Sequence, residues 1–238
     1  MSQKITFYTS KVSPFTSRVE MALQEAGVEA TRYEVDYSAG NKPAWYTEKI
    51  NPLGKVPAIT YGPSHPPDQP TPESATINES LVIVEFIADL YPNAKLVPKD
   101  PVQKAKAHMF ARLIDSTVLP ALQDCIFTGK KDITEIYAVF DLVQSQLPDG
   151  SRYAVGDDFT IADITAASFF CLLEMMLKND IGKYQVGDGL KAFEVYNSSK
   201  YDKIRSYIGR LSERPSVKKG IQLDIVKETF SKRLARET

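Results

Sequence analysis

Cysteine and histidine are scarce in this chain, with two of each in 238 residues: Cys125 and Cys171, His65 and His108. Two cysteines in segments of helical periodicity make no disulfide scaffold and read as buried, unreactive thiols. Two isolated histidines lack metal-ligand spacing, so no metal is assigned. Excess charge of either sign is missing as well. The 29 basic and 30 acidic residues leave a formal net charge of -1, which gives no electrostatic case for nucleic acid or an anionic membrane as partner. No apolar run is long enough to span a bilayer, and Met1-Ser2-Gln3-Lys4-Ile5 has no apolar signal core, so the expected location is the cytoplasm.

What is there is ordinary for a folded protein: 43% hydrophobic and 25% charged residues argue against disorder. The length allows two domains, each with its own core. In the first third, short strands alternate with helices. Strands are expected at 5–9, 29–35, 56–61 and 76–77, with helices at 14–26 and 80–91 and a short helical stretch from 41. A βαβ then ββα order implies a small mixed sheet with helices on its faces. The Pro-rich segment Gly62 to Pro72 is longer than a tight hairpin needs, and its role is open. From Pro101 the pattern is helical throughout, over 101–127, 133–147, 161–177, 203–211 and 223–234. The expected division is therefore 1–92, a linker at 93–100 and an all-helical part at 101–238. Thr160-Ile161-Ala162-Asp163 has the spacing of a reciprocal helix N-cap, so Asp163 reads as structural and not as a catalytic acid.

Four local motifs carry chemistry. Ser13-Pro14-Phe15-Thr16-Ser17-Arg18 stands between the first strand and the first helix. There Ser13 is an N-cap with proline at the first helical position, and its hydroxyl is also placed to donate to a thiolate near the positive helix end. A serine cannot form a mixed disulfide. Tyr8, Thr9 and Ser10 near the strand end are alternative donors. In Lys55-Val56-Pro57, proline enters a strand that should lie inside the sheet. A cis bond that presents the Val56 backbone to a ligand and an ordinary proline at a strand start are both open. Asn78-Glu79-Ser80 begins a helix whose N–H groups can hold a carboxylate, with Ser80 as cap and Glu79 available for an ammonium. Lys42, on a loop before Pro43, offers a cation for a second carboxylate.

In order, S-P-F-x-x-R, N-K-P-x-W, N-P-x-G-K-V-P and E-S resemble the cytosolic glutathione transferases, most closely the omega class and its fungal relatives. The resemblance implies an α/β thioredoxin-like N-terminal domain followed by an all-α C-terminal domain, with glutathione as co-substrate and a homodimer. By resemblance, Val56 before Pro57 pairs with the cysteinyl part of glutathione. Glu79 and Ser80 take its γ-glutamyl end, Lys42 its glycyl carboxylate, and Phe15 flanks the thiol. The omega pattern has Cys-Pro-Phe where this chain has Ser13, so disulfide reduction and dehydroascorbate reduction through an enzyme-bound disulfide are not expected. Conjugation or reduction of hydrophobic electrophiles and peroxides is expected instead, with Ser13 stabilising the thiolate. Ile126, Phe127 and Arg112, with residues around 184–196, are the candidate electrophile pocket. A ligandin that binds glutathione adducts and aromatic metabolites without turnover is the alternative, and a regulatory module with a vestigial site is a third.

Overall fold

The computed structural model describes residues 3–36 and 42–236. Four strands, β1 (Lys4–Thr9), β2 (Thr31–Glu34), β3 (Ala58–Gly62) and β4 (Ala75–Asn78), form one sheet in the order β2-β1-β3-β4. β1 runs parallel to β2 and antiparallel to β3, and β3 is antiparallel to β4. The parallel pair requires a crossover, which α1 (Pro14–Glu25) supplies. Pro14 fits the first helical turn because its missing N–H would be unpaired there. Gly27, at φ +64, turns the chain out of the helix.

β1 is central and buried on both faces, so Ile5, Phe7 and Tyr8 are all inaccessible. Ile5 and Phe7 join the large core with Val19 and Leu23 of α1 and Ile83, Val84 and Ile87 of α3 (Ser80–Leu90). Tyr8 points the other way. It forms a smaller core with Val35, Ala58, Ile50 and Tyr46, the last from α2 (Ala44–Lys49).

The rest is helical: α4 (Pro101–Ala121), α5 (Ile136–Gln146), α6 (Ile161–Lys178), α7 (Asp188–Tyr196), α8 (Asp202–Ser212), α9 (Pro215–Gly220) and α10 (Leu223–Arg233). α6 is buried almost all round, as its near-continuous apolar sequence requires. Its start is the anticipated reciprocal cap. Asp163 accepts from the Thr160 N–H at 2.9 Å, the Ala154 N–H at 2.9 Å and the Tyr207 hydroxyl at 2.8 Å. These donors oppose burial, which pushes the carboxyl up.

Three features depart from the periodicity. The helix expected to reach Phe127 loses α geometry after Ala121 and continues as a π-helix over Leu122–Phe127, directly after Pro120, which cannot donate within the ladder. α7 lies in a segment rich in glycine and turn residues, and α9 has only six residues, so neither shows a readable period. The segment 93–100 is stitched down: Leu96 is buried, and its carbonyl accepts the Ile161 N–H at 2.8 Å. Farther along, Arg236 pairs with Asp180 at 3.1 Å and lies over the Tyr184 ring, fastening the chain after α10 to the turn before α7.

The Asp163→Ala variant leaves two N–H groups and the Tyr207 hydroxyl buried without their acceptor. Urea unfolding should show a loss on the order of 3–5 kcal/mol.

Candidate functional site

Sheet register gathers the sequence motifs. Tyr8 is opposite Ala58, and Ala58 is opposite Asn78. The turn after β1, the Val56-Pro57 approach to β3 and the Glu79-Ser80 exit from β4 therefore share one end of the sheet, across two strand spacings of about 4.8 Å each.

Ser13 heads α1 in an extended conformation, φ -92 and ψ 121. It occupies the cap position, but its hydroxyl makes no cap hydrogen bond, which departs from the expected capping role. Its carbonyl is engaged instead, by the Thr16 hydroxyl at 2.8 Å and the Ser17 hydroxyl at 3.2 Å. The start of α1 thus retains its positive end for an anion, with a half-buried hydroxyl beside it. Of the alternative donors, one is otherwise placed. Tyr8 donates to the Pro67 carbonyl at 2.6 Å, and burial pushes its phenol up to about 12. Ser10 is buried, with its carbonyl taken by Thr16.

The Val56-Pro57 bond is cis. Lys55, just before it, is fixed through its carbonyl, which accepts from the Tyr46 hydroxyl at 2.7 Å and Asn51 Nδ2 at 2.8 Å. Asn51 also closes its own turn through the Leu53 N–H at 3.1 Å. Lys42 folds back over this turn. A Cβ on Gly54, itself at φ +62, would lie 2.6 Å from Lys42 Nζ, so a glycine leaves room for the ammonium.

Glu79 adopts φ 69, a left-handed conformation that costs a residue with a Cβ. It delivers Ser80 as the first residue of α3. Ser80 is not the cap that its sequence position implies: it is buried, and its hydroxyl accepts from Arg18 Nη1 at 3.3 Å.

Arg18 ties this end of the molecule together. Its side chain is 1% exposed, and it pairs with Asp115 of α4 through Nη1 at 3.3 Å and Nη2 at 2.5 Å. Its Nε donates to Ser168 of α6 at 3.1 Å, and its guanidinium carbon lies 5.2 Å from the Phe15 ring and 4.8 Å from the Phe169 ring. Burial pulls the guanidinium down, and Asp115 opposes that shift. Phe15 meets Phe169 edge to face at 5.6 Å. Sequence reasoning quoted Arg18 as a motif letter and missed both Asp115 and Ser168. The available signal was a carboxylate interrupting the apolar stripe Ala111, Ile114, Val118 of α4.

The pocket candidates are not brought together. Arg112 is exposed, Ile126 lies in the closed core, and Phe127 packs on Phe230 of α10 at 5.3 Å. Among the described residues, no group of three or more His, Cys, Asp or Glu could hold a metal ion, and no helix is long and apolar enough to cross a membrane. Both cysteines are buried, and burial pushes their thiols up, Cys125 to about 11 and Cys171 to about 12.

A sheet order of β2-β1-β3-β4 with an all-helical partner agrees with what the wider comparisons find. The family model for the glutathione S-transferase N-terminal domain matches residues 12–90, and that for the C-terminal domain matches residues 127–215. The chain belongs to the glutathione transferase family. Within it, the chain resembles omega-class members. The crystal structure of glutathione transferase Omega 1C from Trametes versicolor is 42% identical, covers 98% of each chain and superposes with a TM-score of 0.92. Omega 2S from the same organism, in complex with 2,4-dihydroxybenzophenone, is 35% identical over 98% of this chain and 100% of that one, with a TM-score of 0.88. A probable glutathione S-transferase of Glycine max is 33% identical over 160 residues, 65% of this chain, and the match spans 64% of that relative's length.

Asp115→Ala strands the Arg18 charge in the core, and denaturant unfolding should register a loss of about 3–5 kcal/mol. The cysteines make a second prediction. With thiols pushed up to about 11 and about 12, on the order of one Cys125 in a thousand or fewer is thiolate at pH 8. Ellman's reagent should label neither cysteine in the folded protein and both in urea.

Proposed function

We propose that this chain binds glutathione at the shared end of its sheet and that Ser13 donates a hydrogen bond to the glutathione sulfur, holding it as thiolate for attack on hydrophobic electrophiles. One observation carries the reading: half-buried Ser13 stands at the positive end of α1 and its hydroxyl makes no cap hydrogen bond. Glutathione has one ammonium and two carboxylates. In this reading the γ-glutamyl end lies on Glu79 and Ser80, the cysteinyl backbone on Val56, and the glycyl carboxylate on Lys42. Phe15 flanks the thiol.

A hydrogen bond to a charged acceptor contributes about 1.5–3 kcal/mol, so one hydroxyl lowers the thiol pKa by roughly one to two units. The thiolate is the nucleophile: its lone pair forms the new S–C bond as the leaving group departs. On a peroxide the thiolate attacks one oxygen, forming an S–O bond as the O–O bond breaks; the other oxygen leaves as alkoxide and takes a proton from water to give the alcohol, and a second glutathione then converts the sulfenic product to disulfide and water. The leaving oxygen or halide needs no metal in this scheme, and the protein contributes position and charge. Two-domain organisation with a break near 93–100, a homodimeric state and a cytoplasmic location belong to the same proposal.

The reading as a ligandin has its own support. A relative similar over the whole chain carries an aromatic ketone with two phenolic hydroxyls. Calorimetric binding of such ligands without measurable turnover of any electrophile would favour it over catalysis.

Ser13→Ala should reduce turnover of 1-chloro-2,4-dinitrobenzene by about 10- to 100-fold with glutathione binding retained. Because the hydroxyl depresses the thiol pKa, activity in the parent protein rises through a lower pH, and the variant's pH–rate profile should shift upward by about one to two units. Unchanged turnover in a variant that still binds glutathione removes Ser13 from the mechanism. Ser13→Cys should gain mixed-disulfide reduction that the parent lacks, read by release of thiol from a glutathionylated substrate.

A further inference from the structure

The proline-rich excursion between β3 and β4 has no part in the reading above, yet its geometry is that of a built element. Its ends touch: a Cβ on Gly62 would lie 2.7 Å from Ser74 Oγ and 2.8 Å from Ser74 Cα. The strands on either side pair without it, Tyr61 opposite Ala75. Residues 63–73 are therefore an Ω loop closed at its base. Five of those eleven residues are proline, which lowers the entropy lost on ordering them. The loop also bonds itself, Gln69 N–H to the Pro66 carbonyl at 3.0 Å and Ser74 N–H to the Thr71 carbonyl at 2.9 Å.

It leans on the sheet face that carries α2. The Tyr8 hydroxyl donates to the Pro67 carbonyl at 2.6 Å, and the Tyr8 ring packs on Tyr46 at 5.6 Å and Trp45 at 6.3 Å, both residues of α2. His65 bridges the loop to β3, with Nε2 3.0 Å from the Thr60 hydroxyl and Nδ1 donating to the Pro66 carbonyl at 2.7 Å. Lys49, the last residue of α2, donates to the Asp68 carbonyl at 3.1 Å. α2 has six residues and only a small core of its own, which is too short to hold its place by helical propensity.

We propose that the Ω loop 63–73 is a buttress for α2 and the Asn51 to Lys55 turn, and so positions Lys42 for the glycyl carboxylate of glutathione. The ligand half of this inference rests on the glutathione reading above. Tyr8 and Lys49 act as positioning residues, through α2, and touch no ligand. In mechanical terms, one wall of the site is clamped by Arg18 and the opposite wall is propped by the loop.

Two readouts separate this inference from the reading it builds on. Trp45 is the single tryptophan of the chain and sits on α2, so its emission reports α2 packing with no ligand present. The variants are replacement of 63–73 by Asn-Gly, a two-residue hairpin connection, and the double substitution Tyr8→Phe with Lys49→Met. Thermal melts check that each folds. Calorimetry then compares glutathione with γ-glutamylcysteine, which lacks the glycyl carboxylate. The parent should prefer glutathione by about ten-fold or more, the value of one charge-assisted bond, and Lys42→Met should lose that preference. Both loop variants should red-shift Trp45 emission and cut the preference at least five-fold. Unaltered emission overturns the buttress, whatever the ligand data. Shifted emission with the full preference intact overturns the link from α2 to Lys42. A parent protein that binds neither peptide overturns the glutathione reading and the ligand half with it, leaving the emission to decide the buttress alone.

Discussion

Burying the Arg18 guanidinium is a constraint on which much of this structure depends. Removing such an ion from water costs several kcal/mol even after relaxation, and only close, well-oriented partners offset it. Here the partners come from three helices beyond its own: Asp115 from α4, Ser80 from α3 and Ser168 from α6, with the Phe15 and Phe169 rings against its faces. The sheet-bearing domain and the helical domain are consequently held together across their boundary. Their apolar residues form one continuous core that contains Ile5 and Phe7 as well as Ile164 and Phe169. A second clamp at the other end of α1, where Glu25 meets Arg214 at 2.7 Å and is also bonded by Ser216, fixes the helix along its length.

That rigidity is distributed unequally around the site. Ser13 and Ser80 are carried on helices packed into the large core, whereas Val56 follows, and Lys42 folds over, a turn stitched by Asn51 and Tyr46 around a separate aromatic cluster. A ligand spanning both sides bridges a fixed wall and a lighter one. For glutathione bound as proposed, this contrast gives precision at the sulfur end and tolerance at the far end, since the reacting atom is the one whose misplacement costs rate.

The mixed sheet and its flanking helices were legible because they follow from local signals: alternating short apolar runs, Pro14 at a helix start, Gly27 at a helix end. The motif residues were legible for the same reason, each being part of a short contiguous string at an element boundary. Legibility failed where the determinant was distant in sequence. Asp115 is 97 residues from Arg18, and no local pattern pairs them. Ser13 and Ser80 look like caps in sequence, but at Ser13 it is the carbonyl that Thr16 and Ser17 engage while the hydroxyl makes no cap bond, and Arg18 claims Ser80. The π-helical turn after Pro120 and the short helix α9 carry too little periodicity to be read.

The Ser13 side chain has a further consequence. Its hydroxyl makes no cap hydrogen bond, while its backbone, a feature of any residue type, accepts the bonds that hold the turn. Position 13 is thus a socket whose geometry is set by its surroundings. Under the proposed mechanism, a substitution there changes the reacting group while leaving those backbone bonds in place, a route between chemistries that asks for little stability to spare.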